Sequence, residues 1–344
     1  KKQAEKRGID WTNRSTMRAA LFAKDPLWPA AWAESTGEAT LAVRMEAAAT
    51  APLTLYSSWF CPFAQRAWIA AEEKGVDYRW VEVNPYAVDE TAPGGYSKKQ
   101  LPLETKKSLY PGFVEASPRG LVPAIDCGGE LLCESDPIIE YIDGKFPSAA
   151  TKLCPDDPHK RALCRVWADF ANAKIQRPYY RMLVEQTDEA RAKAYADLLD
   201  GIREFAGAMG DDGPYFLGAD FSFTDVSFAP FFQRILWVGA AYRGISLPQD
   251  DPAVQRMLKW WDAVSSRDSV KKTLVCKDRL VASYANYAEN KATSDYAKSL
   301  MSSLSATTRD ASALSAKINK APVAGLPLLT FVAGLALGAA LLRK

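Results

Sequence analysis

The sequence predicts an α/β unit of βαβ–ββα order, an all-α unit behind it, and a single transmembrane helix at the C-terminus. Three observations carry this. Apolar stretches at 53–57 and 78–83 flank a helical run from Pro62 to Lys74, and a hairpin pattern followed by a second helix fills 125–145. From about Pro158 to Asn290 the pattern is helical throughout. From Val323 to Leu342 the chain is apolar and carries no charge.

The chain starts at Lys1 without a Met, which points to a processed form and so to an organelle. Residues 1–50 form an Ala-rich extension of mixed charge. Helix-like stretches lie near Ser15–Ala23 and Thr36–Ala49, and there is no apolar signal core. Trp11, Trp28 and Trp32 in this extension are expected to pack on the body or on a partner, because exposed Trp is unfavourable.

The strand at 53–57 leads into Ser58-Trp59-Phe60-Cys61-Pro62-Phe63-Ala64-Gln65-Arg66. Pro62 suits the first helical position. Cys61 therefore falls at a helix N-terminus, where unpaired N–H groups and the helix dipole favour a thiolate. That makes Cys61 a candidate nucleophile. Gly75 stops the helix, and Tyr78–Val83 is the next strand. The segment from Pro85 to Phe113, rich in Pro, Gly and Lys, is expected to be irregular.

Order resumes at Ser117-Pro118-Arg119-Gly120. A Pro at 123 is out of place in a central strand. It fits a cis Val122–Pro123 bond that turns the chain against the active site. The hairpin 125–133 turns at Gly128-Gly129. Glu134 and Ser135 then open a helix to about Lys145, with Ser135 as its N-cap. Backbone N–H groups there suit a carboxylate ligand. The element order is that of a thioredoxin-like domain. Further on, Ser222 and Asp225 form an S-x-x-D capping box. Residues 291–321 read as a linker or a surface helix.

Composition narrows the function classes. Lys and Arg total 43 against 41 Asp and Glu, which argues against a nucleic-acid binder. A hydrophobic content of 48% excludes global disorder. The six cysteines show no CxxC or zinc spacing, and the lone His159 cannot build a histidine site, so no metal is expected. His159, in a Pro/Asp-rich turn, is expected to be solvated or to cap a helix. A reducing compartment fits the cysteine pattern best.

Several motifs in order resemble the glutathione transferase superfamily, nearest to its omega-like cysteine classes. They are SxxCPFAQR at Ser58–Arg66, Asn84-Pro85-Tyr86, SPRGLVPA at Ser117–Ala124, CESDPIIEYID at Cys133–Asp143 and the Ser222–Asp225 box. The resemblance implies a thioredoxin-like glutathione-binding domain over 51–147, with an insertion at about 87–115, and an all-helical domain over 148–290. The linker at 291–321 and the anchor at 322–344 follow. It further implies that Cys61 forms a mixed disulfide with glutathione and that Phe63 lines the glutathione site. The backbone of Val122, ahead of cis-Pro123, would pair with the cysteinyl part, and Glu134 and Ser135 would hold the γ-glutamyl end. Ala64 stands where a dithiol oxidoreductase carries its second cysteine, so the implied chemistry is monothiol. Glutathione is then the co-substrate, and a small electrophile or a glutathionylated disulfide is the other reactant. Thiol transfer, dehydroascorbate reduction and deglutathionylation are the reactions implied. A glutathione-contacting Lys belongs between Tyr86 and Ser117, where Lys98, Lys99, Lys106 and Lys107 all stand open. Relatives are commonly dimers. The alternative is a catalytically silent structural subunit of an organellar membrane complex, suggested by the extension, the insertion and the anchor.

The anchor itself rests on length. At about 1.5 Å per residue, a helix over 323–342 spans roughly 30 Å, the thickness of a bilayer core. Lys317 and Lys320 precede it, and Arg343 and Lys344 close it, as interfacial anchors do. Gly334 and Gly338 form a GxxxG pair suited to close helix packing in lipid. A mitochondrial or plastid membrane is expected. Deleting residues 322–344 is expected to move the protein wholly into the soluble fraction. Release of the full-length chain from membranes by alkaline carbonate would contradict the anchor.

Overall fold

A computed structural model describes residues 36–48, 50–88, 96–147, 151–294 and 297–298. The helix-like stretch at 15–23, the three Trp residues of the extension and the apolar segment 323–342 lie outside the described residues. Among the described residues no helix is long and apolar enough to cross a membrane. The extension contributes α1 (Thr36–Glu46), which buries Leu41 and ties Gly37 N to Leu274 O at 3.1 Å. Arg44 on α1 bonds Glu72 and Asp77 and lies 4.5 Å from the ring centre of Tyr78.

Alternation shapes the central sheet. β1 (Leu53–Ser57) buries Leu53, Leu55 and Ser57, and β2 (Tyr78–Glu82) buries Tyr78, Trp80 and Glu82. The two run parallel, which requires a crossover, and α2 (Pro62–Glu73) supplies it. Two further strands separate that pair from the next described helices: β3 (Tyr86–Val88) and β4 (Tyr96–Gln100), antiparallel to each other in a sheet of their own. The short helices α3 (Leu103–Leu109) and α4 (Pro111–Ala116) follow. β5 (Ala124–Cys127) then pairs antiparallel with β1, and β6 (Glu130–Cys133) with β5, giving the order β2–β1–β5–β6. Gly128 and Gly129 turn the hairpin with φ of 62° and 93°, and Asp126 accepts from Gly129 N at 2.8 Å. α5 (Ser135–Lys145) packs beside α2. On the opposite face of the sheet, Phe113 and Ala116 of α4 meet Val83 and Ala124.

The segment 85–113 is thus not irregular throughout. Its helices are short and bury little beyond Lys106, Phe113 and Ala116, too few positions to show a period. Pro111 starts α4 instead of breaking it. Gly112 allows the approach to β1, since a Cβ there would stand 2.5 Å from the Tyr56 hydroxyl.

The helical unit begins with α6 (Pro158–Ala171), capped by Asp157, which accepts from Lys160 N. A π-turn at Asn172–Gln176 precedes α7 (Arg177–Val184) and α8 (Asp188–Gly207). α9 (Phe223–Arg234) is buried at every residue. A second π-turn (Ile235–Gly239) leads to α10 (Ala240–Arg243), then α11 (Pro252–Ser266), α12 (Asp268–Lys271), α13 (Lys277–Ala282) and α14 (Ala285–Ala288). The capping box forms as the spacing requires. Asp225 Oδ2 accepts from Ser222 N at 2.8 Å, while Oδ1 accepts from Phe216 N at 2.8 Å and Trp260 Nε1 at 2.7 Å. His159 is exposed on the first turn of α6. The stretch after 290 starts as part of the body, not as a linker. Ser294 and Ala297 are buried, and Thr293 N donates to Lys98 O at 3.3 Å.

Asp143 and Glu73 of the α/β unit fasten it to the helical unit. Lys74 Nζ meets Asp143 at 2.9 Å with both side chains buried, and Asp143 also accepts from Leu153 N and Cys154 N. Glu73 accepts from Arg267, Ser269 and Thr151. Burial alone would raise the Glu73 carboxyl, but these hydrogen bonds and the Arg267 charge outweigh it and hold it below its usual range. A carboxyl depressed in the folded state stabilises above its unfolded value and loses that contribution as pH falls through the folded value. Glu73→Gln is therefore expected to lower the melting temperature at neutral pH and to flatten its fall on acidification, read by thermal melts from about pH 7 to about pH 3.

Candidate active site

Cys61 is the N-cap of α2, with extended backbone (φ −84°, ψ 121°) and Pro62 as the first helical residue. Its N–H donates to Ser58 O at 3.0 Å, and its carbonyl accepts from Gln65 N at 3.0 Å. The residue is half-buried. Burial pushes the thiol up, while the Ala64 amide, Arg234, the Phe63 amide and Lys98 pull it down. The donors expected at a helix N-terminus are present, yet the thiol still lies above its usual range. Desolvation decides the balance, and it comes from chain segments distant in sequence.

The sheet brings the second part of the site to the first. Tyr56 pairs with Ala124, so Pro123 lies beside the end of β1, where the chain leaves for Cys61. The Val122–Pro123 bond is cis. Phe63 is half-buried, with its ring edge-on to Phe231 at 5.2 Å and 5.3 Å from the Arg66 guanidinium. Glu134, and not Ser135, is the N-cap of α5. It adopts a left-handed φ of 73°, and Ser135 becomes the first helical residue. The Glu134 carboxylate is exposed and pairs with Arg119. Ser135 is buried and its hydroxyl accepts from Arg66 Nη1 at 3.2 Å.

Arg66 ties these parts together. It is 2% exposed and donates to Ser227 O at 2.7 Å, to Asp136 at 3.2 Å and to Asn172 Oδ1 at 2.6 Å. One side chain thus links α2 to the start of α5, to α9 and to the π-turn after α6. Of the residues expected in the site, Ser135 bonds Arg66 directly, and Cys61 and Phe63 stand at the start of the helix that carries it.

Arg234 escaped the sequence reading, and Lys98 stood there only as one of four open lysines. Arg234 is fully buried on α9 and donates from Nη2 to the carbonyl of Phe60, the residue before Cys61, at 3.1 Å. A basic residue ending a helix rich in Phe is a signal that marks it. Lys98 on β4 is also buried, its Nζ 3.7 Å from the Phe60 ring centre and 4.8 Å from that of Tyr86. It sits in a Lys-rich stretch with no period, so no local signal sets it apart. Of the other open lysines, Lys106 donates to Gly120 O at 2.8 Å, and Lys99 and Lys107 are exposed.

Comparisons with known proteins agree with this geometry. Residues 60–145 match the glutathione S-transferase N-terminal domain and residues 188–259 the glutathione S-transferase C-terminal domain. Protein IN2-1 homolog A of Oryza sativa subsp. japonica is 30% identical over 60% of this chain and 74% of its own length. Glutathione S-transferase U16 of Arabidopsis thaliana is 28% identical over 63% of this chain and 85% of its own. The crystal structure of glutathione transferase Omega 3C from Trametes versicolor superposes with a TM-score of 0.60 at 31% identity, covering 75% of this chain and 98% of that one.

Arg66→Met would leave Ser227 O, Asn172 Oδ1 and the Asp136 carboxylate short of a donor. Breaking such a buried cluster is expected to cost roughly 3 kcal/mol or more of unfolding free energy, measured by urea titration.

Proposed function

The chain belongs to the glutathione S-transferase family, and within it we propose a monothiol transferase of the omega-like kind that uses Cys61 as its nucleophile. The observation that carries the reading is Cys61 at the N-cap position of α2, followed by Pro62, where the Ala64 and Phe63 amides favour its thiolate. Glutathione is the co-substrate. Its γ-glutamyl end goes to Glu134 and Ser135, the carboxylate taking the ammonium and the hydroxyl and N–H groups taking the carboxylate. Its cysteinyl part pairs with the backbone of Val122 ahead of Pro123, and Phe63 lines the pocket.

The reaction proceeds in two exchanges. The Cys61 thiolate attacks the glutathionyl sulfur of a mixed disulfide. That S–S bond breaks, a Cys61–glutathione disulfide forms, and the released thiolate takes a proton. A second glutathione, as thiolate, then attacks the new disulfide. Oxidised glutathione leaves and the Cys61 thiolate returns. No second protein cysteine is needed, which agrees with Ala64 at that slot.

We place the transferase at an organellar membrane through residues 323–342, supported by the charge-free run and its basic flanks. The silent-subunit reading draws on one observation, that Lys98 of the insertion and Tyr86 just before it pack over Phe60 beside Cys61. Thiol-transferase turnover by the part without residues 322–344, wild type against Cys61→Ser, decides between them. Wild type is expected to turn over glutathione and the variant to fall at least about a hundredfold. A wild type without glutathione-dependent turnover establishes the silent subunit instead. A variant with full activity removes Cys61 from the mechanism.

A further inference from the structure

A cavity of about 300 Å³ opens between α7, the start of α8 and the loop after α10, and none of its lining residues belongs to the site around Cys61. That volume suits a small ligand. Met182 and Ile245 give it apolar walls. Tyr195 on α8 donates from its hydroxyl to Ser246 O at 2.7 Å, which ties the loop to the helix. Arg191 and Arg243 line the same cavity and supply its charge.

Backbone carbonyls, not acids, place the two guanidiniums. Arg243 donates from Nε to Met182 O at 3.2 Å, from Nη1 to Tyr242 O at 3.0 Å, and from Nη2 to Leu183 O and Ala288 O. These bonds at the ends of α7 and α14 orient the group as the chain folds. Arg191 donates from Nε to Glu185 O at 2.8 Å. Among the described residues no carboxylate pairs with Arg243, and Arg191 meets only Asp188 at 3.3 Å, whose side chain is 100% exposed. An exposed pair of that kind contributes little. Arg191 is also the fourth residue of α8, at the end where the helix dipole disfavours a cation. Burial, and after it the Arg191 charge, holds the Arg243 guanidinium below its usual range. Arg191 Nη2 and the exposed Ser246 hydroxyl have no hydrogen-bond partner among the described residues.

We propose that this cavity binds the phosphate group of a small, soluble phosphomonoester. Two guanidiniums that share a cavity and lack a buried acid call for an anion, and their N–H donors match phosphate oxygens. A phosphomonoester is close to doubly charged near neutral pH and so balances both cations. A monocarboxylate balances only one. The Ser246 hydroxyl supplies a further donor, and the wall of Met182 and Ile245 leaves room for the rest of the molecule. No bond is made or broken in the cavity. The site stands apart from the chemistry of Cys61 and does not rest on it.

The test is calorimetric titration of the full chain with glycerol 3-phosphate and with inorganic phosphate, against sodium acetate at equal ionic strength. Wild type is expected to bind both phosphates at least about tenfold more tightly than acetate. Arg191→Met is expected to weaken them at least about tenfold, and Arg191→Lys to restore part of the loss. Arg243 also holds the ends of α7 and α14, so it is left in place. Ser246→Asp puts a carboxylate into the cavity from an exposed loop and is expected to abolish phosphate binding without lowering the melting temperature. Thermal melts check that each variant is folded. Equal affinity for phosphate and acetate overturns the proposal. So does wild-type phosphate affinity in Arg191→Met or Ser246→Asp, which would place the anion elsewhere. Vesicles of phosphatidylcholine with phosphatidate carry the same group on a bilayer. Displacement of glycerol 3-phosphate by them would overturn the soluble ligand in favour of a lipid headgroup. No glutathione is used, so the outcome is independent of transferase turnover.

Discussion

The guanidinium of Arg234 is buried completely, and among the described residues no carboxylate pairs with it. Its hydrogen bonds go to neutral acceptors: Tyr284 Oη at 2.7 Å, Gln65 Oε1 at 2.7 Å, Pro230 O at 2.7 Å and Phe60 O at 3.1 Å. These acceptors come from the N-terminal unit and from two places in the helical unit. A charge taken out of water is tolerated only when its donors are met, so the acceptors must stay where they are. The position of Cys61 follows from this requirement. Its preceding carbonyl is held by Arg234, and Gln65 of its own helix is held by the same group.

Arg66 repeats the design on the other side of α2. It has a partly exposed carboxylate partner in Asp136, and it fixes Ser135 at the opening of α5. α2 is therefore gripped by two buried guanidiniums, one toward Cys61 and one toward Ser135 at the opening of α5. Small residues at Ala64, Ala67, Ala70 and Ala71 let the helix lie close to both the sheet and α9. Binding geometry and domain packing are the same set of bonds, so the site is held by side chains of both units.

An uncompensated positive field beside a buried sulfur has a chemical consequence. In a dry surrounding each charge acts over a longer range than in water. The neutral thiol is favoured at rest, and a thiolate or an anionic ligand gains from Arg234 and Lys98 once formed. The insertion is part of this arrangement, because its Lys98 lies 3.7 Å from the centre of the Phe60 ring, on which Tyr86 stacks at 5.7 Å.

The sequence by itself determined the thioredoxin-like order, the place of Cys61 at a helix start, the Ser222–Asp225 box and the turn at Gly128-Gly129. Each rests on residues within a few positions of one another, where Pro, Gly, capping side chains and apolar alternation act locally. The tertiary structure alone decided the rest. It turned the segment after Pro85 into strands and short helices, because β3 and β4 pair with each other and α4 packs on β5 and β6, contacts that no local period announces. It moved the N-cap of α5 from Ser135 to Glu134. It brought Lys98 and Arg234 to Cys61 from far along the chain, and the burial they share with it reversed the balance that the helix N-terminus alone predicts for the thiol. Desolvation depends on everything that surrounds a group, and no short window of sequence contains that.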